Sequence, residues 1–325
     1  MVFKISTSID AMGNCMERYV PTGYYEDLSV VERLEAISGF EGVAGLQVFY
    51  PTGPLPSDPD KLVALAANYN LKIGDLYIES AGDRKWKHGA YSTNEKNIRR
   101  EAIKLFKEGI DFAKAIGAHS ALLWPAHDGF DYPFQVDYRR AWANLVETLY
   151  EIGTHDPTVK IAVEYKEKDP RQKQFVSNAG KQMMLLNDVG LDNMGFALDV
   201  GHSFLAGENP AETLSIIDSH NKLYEVHFDD NYKDADPDMM FGVINFWEIL
   251  EFYYYLNKTD FDGWCDIYIV APRDDRVKSL KMAVKMAMKY KDLADKLAKH
   301  SKEIDSNLVG YRFADNMELI SSILF

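Results

Sequence analysis

Cysteine is nearly absent from this chain: Cys15 and Cys265 are the only two in 325 residues. Two thiols exclude a disulfide framework and a thiolate metal centre, and both read as reduced residues of a cytoplasmic protein. No run of 18 apolar residues occurs, so no stretch reads as a membrane span. The opening MVFKISTSIDAMG lacks the long apolar core and small-residue cleavage site of a signal peptide. Basic residues are in deficit, 36 Lys and Arg against 50 Asp and Glu, for a net charge of −14. That sum repels a nucleic-acid backbone and argues against such a partner. No Gly-x-Gly-x-x-Gly follows the first strand-like run, which counts against a dinucleotide-binding open sheet. Linkers, repeats and low-complexity tracts are lacking too.

What is present is a steady alternation of short apolar runs with longer helical patterns. Strands are expected at Phe3–Ser8, Gly45–Phe49, Lys72–Tyr77, Ser120–Trp124, Lys160–Tyr165, Met194–Leu198, Leu223–Phe228 and Trp264–Ile269. Helices are expected at Ser29–Ser38, Pro59–Tyr69, Thr93–Ile116, Asp137–Ile152, Gln172–Val189, Pro210–Asp218, Asn245–Tyr255 and Asp274–Ala298. Ser29 with Glu32 three residues later reads as a capping box, and Gly117 and Gly190 read as helix stops. Eight β units alternating with eight α units predict an α/β chain folded as a single (β/α)8 TIM barrel. The barrel is assigned residues 1–300. Residues 301–325, ending ELISSILF, are too apolar to float free and are expected to form a helical tail on the barrel or a neighbouring subunit.

Charge gathers at strand ends in the second half. KIAVEYK, MGFALDVGH and LYEVHF each finish an apolar run with polar residues. The period of 2 along a strand puts Glu164 and Lys166 on one face, Asp199 on the face of Ala197, and Glu225 with His227. In GWCDIYIV, Asp266 alternates inward with Tyr268. Barrel enzymes build their sites at the C-terminal ends of strands, so Glu164, Asp199, His227 and Asp266 converge from strands five to eight. Three carboxylates and an imidazole suit a divalent ion and leave positions open for a substrate's oxygens. His202, Asp236 and Asp238 lie close enough in sequence to serve a second ion.

The chain also resembles a known family, the xylose-isomerase-like TIM barrels, and among them sugar isomerases similar to L-rhamnose isomerase. The resemblance is carried by ERYVPTGYYEDLSVVERL, LLWPAHDGFDYPFQVDY, EYKEKDPR, ALDVGHSFLAGENPAE and HFDDN. It implies a metal-dependent enzyme that interconverts an aldose and a ketose by a metal-assisted hydride shift. It further implies that Glu164, Asp199, His227 and Asp266 hold a structural ion, that His202, Asp236 and Asp238 hold a weaker catalytic one, and that Lys166 meets the substrate near its carbonyl. One or two ions are expected, Mn²⁺ first, with Mg²⁺, Co²⁺ or Zn²⁺ as alternatives. Departures fall where substrate is contacted: GLQVFYP carries Gln47 and Phe49 in place of the family's Glu and His, and WPAHDG brings in Ala126 and His127.

His127 and Asp128 read as a pair for moving a sugar hydroxyl proton. Trp86, Trp124, Phe130 and Phe134 are candidates for stacking on a sugar, and Arg273 for a further substrate contact. The competing activity is a metal-dependent ketose epimerase acting by proton transfer. Asp266, one methylene shorter than glutamate, disfavours it. An apurinic-endonuclease-like enzyme conflicts with the charge balance, and an inactive sugar-binding protein conflicts with the full ligand set. A small-molecule sugar substrate, no membrane partner and a homo-oligomer, dimer or tetramer, complete the expectation.

Overall fold

The computed structural model describes residues 3–324. Eight parallel strands close into a barrel: β1 Ile5–Thr7, β2 Val43–Tyr50, β3 Lys72–Ile78, β4 Ala121–Leu123, β5 Ile161–Glu164, β6 Met194–Asp199, β7 Leu223–Phe228 and β8 Cys265–Ile267. β8 pairs back onto β1, with Asp266 opposite Ser6. The eight helices that return the chain are α1 Val30–Ser38, α2 Pro59–Asn68, α3 Lys96–Ile116, α4 Tyr138–Gly153, α5 Ala179–Val189, α6 Pro210–Ser219, α7 Phe246–Leu256 and α8 Arg276–Ala298. The expected (β/α)8 fold is therefore the fold observed.

Local chemistry explains the element ends. Ser29 and Glu32 form the reciprocal capping box at the start of α1. Gly117 and Gly190 close α3 and α5 in the left-handed region, at φ 68° and 70°. α5 starts at Ala179, later than the sequence pattern implies, because Asn178 caps it and the preceding Lys173–Gln174 is drawn into a two-stranded antiparallel clip with Gly129–Phe130. A further short helix, Val200–Leu205, begins directly after β6 with Asp199 as its cap.

Most of the apolar core lies between barrel and helices. Phe228 stacks on Phe241 at 4.4 Å and on Tyr253 at 5.3 Å, and Tyr253 stacks on Tyr290 at 5.9 Å. That column fastens α7 and α8 to β7, and such pairs add roughly 0.5–1.5 kcal/mol each beyond area burial. The aromatic run in α7 thus packs on the barrel. Inside the barrel the apolar filling is small, Tyr77, Leu122, Ala162, Ala197 and Tyr224 with Phe49 and Trp124 beside them. The remaining interior is polar, which leaves room for chemistry.

Two more helices follow, α9 Ser301–Val309 and α10 Phe313–Leu324. Leu319, Ile320, Ile323 and Leu324 rest half-buried on the outer core. Among the described residues no helix is long and apolar enough to cross a membrane.

The clip joins the loop after β4 to the loop after β5, over the barrel mouth. A Cβ on Gly129 would collide with the Lys173 carbonyl oxygen, a backbone atom that cannot swing aside. Gly129→Ala should therefore cost about 1–3 kcal/mol, as overpacking does, read as a lower urea midpoint at unchanged slope. An unaltered midpoint would show that the clip is not under this constraint.

Candidate active site

Register builds the site. Across β6, β7 and β8, Asp199 pairs with His227 and His227 with Asp266, so three polar side chains from three strands share one layer. One row below, Ala197 is opposite both Glu164 and Glu225. Because side chains alternate, all of these face the barrel interior. They open into a cavity of about 300 Å³ at the C-terminal ends of the strands.

Two clusters have ligand-type atoms within 4.8 Å of one another: Glu164, Asp199 and His227, and separately Asp229, Asp236 and Asp238. His202 stands between them, with Nδ1 3.2 Å from Glu164 Oε1 and Nε2 3.0 Å from Asp236 Oδ2. Lys166 Nζ lies 3.0 Å from the same Asp236 oxygen and 5.3 Å from the Trp124 ring centroid. Asp266 lines the cavity beside His227 and is 2% exposed. The residues expected to hold ions are thereby gathered in one place.

Asp229 was not singled out by sequence reasoning, although the DD of HFDDN is its signal. It accepts the Gly201 N–H at 2.9 Å, and any Cβ on Gly201 would strike its carboxylate. Glycine at 201 is what lets the short helix after β6 approach this acid.

Below the clusters runs a second polar chain. His227 Nε2 is 3.2 Å from Glu225, whose other oxygen is 2.5 Å from the Ser120 hydroxyl, itself 2.8 Å from Asp75. One hydroxyl hydrogen cannot serve two carboxylates, so one carboxyl in this chain carries a proton. Burial, and then the Glu225 charge, push Asp75 well above the ordinary range, which makes Asp75 the neutral member. Glu225 accepts from His227 Nε2 and so turns Nδ1 toward Glu164 and Asp199.

Electrostatics at the cavity are those of crowded, dry carboxylates. Burial raises Asp266 to about 6, and burial with the Asp236 charge raises Asp238 to about 7. Burial opposes charge on His202, but Asp199 and Asp236 outweigh it and lift the imidazole to about 10. Burial likewise opposes charge on Lys166, yet Asp236, Asp238 and Asp169 hold its ammonium well above the usual lysine range. Asp229 Oδ2 and Asp266 Oδ1 are buried without a hydrogen-bond partner. Unpartnered oxygens on like-charged neighbours are the arrangement a hard divalent cation satisfies, and the donor set of carboxylates plus imidazole fits one.

Other expected site residues are placed elsewhere. Asp128 is fully buried and accepts the backbone N–H groups of Ala90, Tyr91 and Ser92, so it clamps a loop. His127 turns its Nε2 to the Ala81 carbonyl at 3.0 Å and does not line the cavity. Trp86 is 2% exposed in the outer core, under Lys85. Phe130 packs between Tyr138 and Phe175 beside a separate cavity. Phe134 projects fully into solvent, and Arg273 is exposed away from the cavity. Trp124 alone of the stacking candidates lines it, joined by Gln47, Phe49, Tyr77, Glu79 and Tyr268.

A closed parallel barrel with acids and imidazoles gathered at the C-terminal ends of β5 to β8 defines a TIM-barrel protein. The model of one such family, the xylose isomerase-like TIM barrels, matches residues 31–290, and the chain belongs to that family. The xylose isomerase of Thermus thermophilus is 21% identical over 205 residues, 60% of this chain and 53% of that protein. The xylose isomerase of Listeria welshimeri is 25% identical over 142 residues, 42% of this chain and 32% of that protein. The chain thus spans between about a third and about half of the length of these curated relatives. Among solved structures, a D-tagatose 3-epimerase-like protein superposes with TM-score 0.70 at 16% identity, over 91% of this chain and 100% of the other. The IOLI protein with a bound zinc atom gives 0.63 at 19% identity, over 89% and 96%.

A cation seated in these clusters needs His202, Asp238 and Asp266 as free bases, so loading displaces protons. Affinity for Mn²⁺ should therefore rise with pH, most steeply below about 7, where the two aspartates still compete with protons. Titration calorimetry at pH 7 in buffers of different ionisation enthalpy should show proton release on Mn²⁺ addition. A buffer-independent heat would contradict this electrostatic picture.

Proposed function

We propose that this protein is a divalent-metal-dependent sugar isomerase that interconverts an aldose and a ketose by a hydride shift. The observation that carries the reading is the pair of clusters sharing one cavity, with His202 between them and a charged Lys166 at their edge. Glu164, Asp199, His227 and Asp266 would hold one ion; His202, Asp236 and Asp238, with Asp229 beside them, would hold the other. When bound, such ions polarise a carbonyl and the neighbouring hydroxyl.

The chain's own groups supply the rest. Lys166, fixed by Asp236 at 3.0 Å and Asp169 at 3.3 Å, places a permanent positive charge where negative charge develops on a sugar oxygen. An ammonium held this far toward protonation cannot act as a carbon base. Glu164 is engaged by both His202 and His227 at 3.2 Å, Glu79 accepts the Ala81 and Gly82 N–H groups, and Asp266 is short. These contacts fall on Oε1 of each glutamate, so the case for direct transfer between adjacent carbons rests on the charged Lys166 and the short Asp266. Phe49, Tyr77, Leu122 and Trp124 wall the other side and keep water out during that transfer.

The test is conversion of a panel of unphosphorylated aldoses and ketoses with Mn²⁺, read by chromatography and run in parallel in D₂O. The expected product carries almost no deuterium on carbon. Stoichiometric deuterium at C2 or C3 would replace the hydride shift with proton transfer and make the protein an epimerase or an enediolate isomerase. Failure to convert any sugar would remove the reading.

The two clusters should separate by mutation. Asp199→Asn should abolish tight metal loading and with it nearly all activity. Asp238→Asn should keep one ion and lower kcat on the order of 10²-fold or more. Elemental analysis beside kinetics distinguishes them, and equal metal content and equal rates in both variants would show the sites are misassigned.

A further inference from the structure

The half of the cavity contributed by β2, β3 and β4 holds two polar groups that none of the described residues satisfies. Gln47 is 5% exposed, and its Nε2 is buried with no hydrogen-bond partner. The Trp124 indole Nε1 is buried and unpartnered in the same way. Both residues line the cavity that contains the acid clusters. Buried N–H groups left without acceptors are rare in folded proteins, and each such case calls for a partner.

The surroundings explain why the protein supplies none. Gln47 faces inward between Leu46 and Val48, which pack in the outer core, and its inward neighbour along β2 is Phe49, set edge-on to Tyr77 at 4.9 Å. The pairing of β2 with β3 slips between Leu46 and Val48, at Gln47 itself, and such irregularities re-aim a side chain relative to the regular ladder. A buried amide N–H without an acceptor, set among Phe49, Tyr77 and Leu122, is costly to keep unless a ligand uses it. The clustered carboxylates lie on β5 to β8 and the loops after them; Gln47, on β2, faces them across the cavity, while Trp124 follows β4, which pairs with β5, and stands beside Lys166.

Resting on the isomerase reading, we propose that Gln47 is the specificity-determining contact for hydroxyl oxygens at the end of the substrate across the barrel from the acid clusters, with the Trp124 indole N–H as a second donor nearer to them. Two N–H donors select oxygen acceptors. Neutral hydroxyls fit; a phosphate or carboxylate at this end does not, because Lys166 is already committed to Asp236 and Asp169 while Glu79 adds another acid to the wall. A site built to hydrogen-bond a hydroxyl also rejects the analogue that lacks it, since the N–H groups are then left unpaired.

The experiment uses Mn²⁺-loaded protein and two variants, Gln47→Met, which keeps side-chain length and removes the amide, and Trp124→Phe, which keeps an aromatic wall and removes the N–H. Binding of xylitol, ribitol, sorbitol and mannitol, and of their 1-deoxy counterparts, is measured by calorimetry beside metal content and melting temperature. Each variant should bind the best polyol about 10-fold or more weaker, and Gln47→Met should also lose the preference for polyol over deoxy-polyol, at unchanged metal content and melting temperature. On a substrate that is turned over, the loss should fall mainly on KM. Equal affinity and undiminished discrimination in both variants would overturn the inference and leave the isomerase reading standing. Loss of metal in Gln47→Met would also overturn it, because the amide would then act through the clusters. If the parent binds none of these polyols and converts no sugar, the functional reading falls and this inference falls with it.

Discussion

Everything at this site depends on one constraint, the burial of many like-charged carboxylates in a space too dry to screen them. Glu164, Asp199, Asp229, Asp236, Asp238 and Asp266 are brought together by strand register and by two loops, and only Lys166, His202 and His227 answer them in charge. Desolvation alone would neutralise such a group by protonation, as the upward shifts of Asp199, Asp238 and Asp266 show. A cation relieves the same strain without protons, so metal binding and the ionisation of the cluster are linked.

The barrel interior is divided to make this workable. β5 to β8 carry the clustered acids and imidazoles, while β2 to β4 carry an aromatic and aliphatic wall broken by Gln47 and by Glu79 just past β3. Beneath the charged layer, Glu225, Ser120 and Asp75 form a hydrogen-bonded floor with one shared proton, and this floor fixes which nitrogen His227 presents upward. The two sides of the cavity thus differ in chemistry, with clustered acids and imidazoles on one and mostly aromatic and amide groups, beside Glu79, on the other.

Family membership sets the scaffold and the location of the site, and similar solved structures at 16% and 19% identity share the fold while differing in name and in what they are described to hold. On such a scaffold the reaction is decided by which acid stands free and which is occupied. Here two imidazoles stand 3.2 Å from Glu164 Oε1, Glu79 Oε1 accepts two backbone N–H groups, and Lys166 is held charged.

Much of this was legible in the chain itself. The alternation of apolar runs and helical patterns, with strand ends tipped by Glu164, Asp199, His227 and Asp266, determined the barrel and the side on which its site lies, because period and polarity are local properties. Sequence could not show that Asp128 is spent on three backbone N–H groups, that Trp86 is buried in the outer core, or that Phe134 points into solvent. A loop residue's side chain is directed by the path of the loop, and that path depends on contacts such as the clip between Gly129–Phe130 and Lys173–Gln174, far apart in sequence. Period placed Glu225 on the face of His227, but the link of Glu225 to Ser120, the slip in pairing at Gln47 and the approach of Gly201 to Asp229 come only from the way strands and loops pack together. Strand composition sets what can face the barrel axis; packing decides which of those groups are left with nothing to bond.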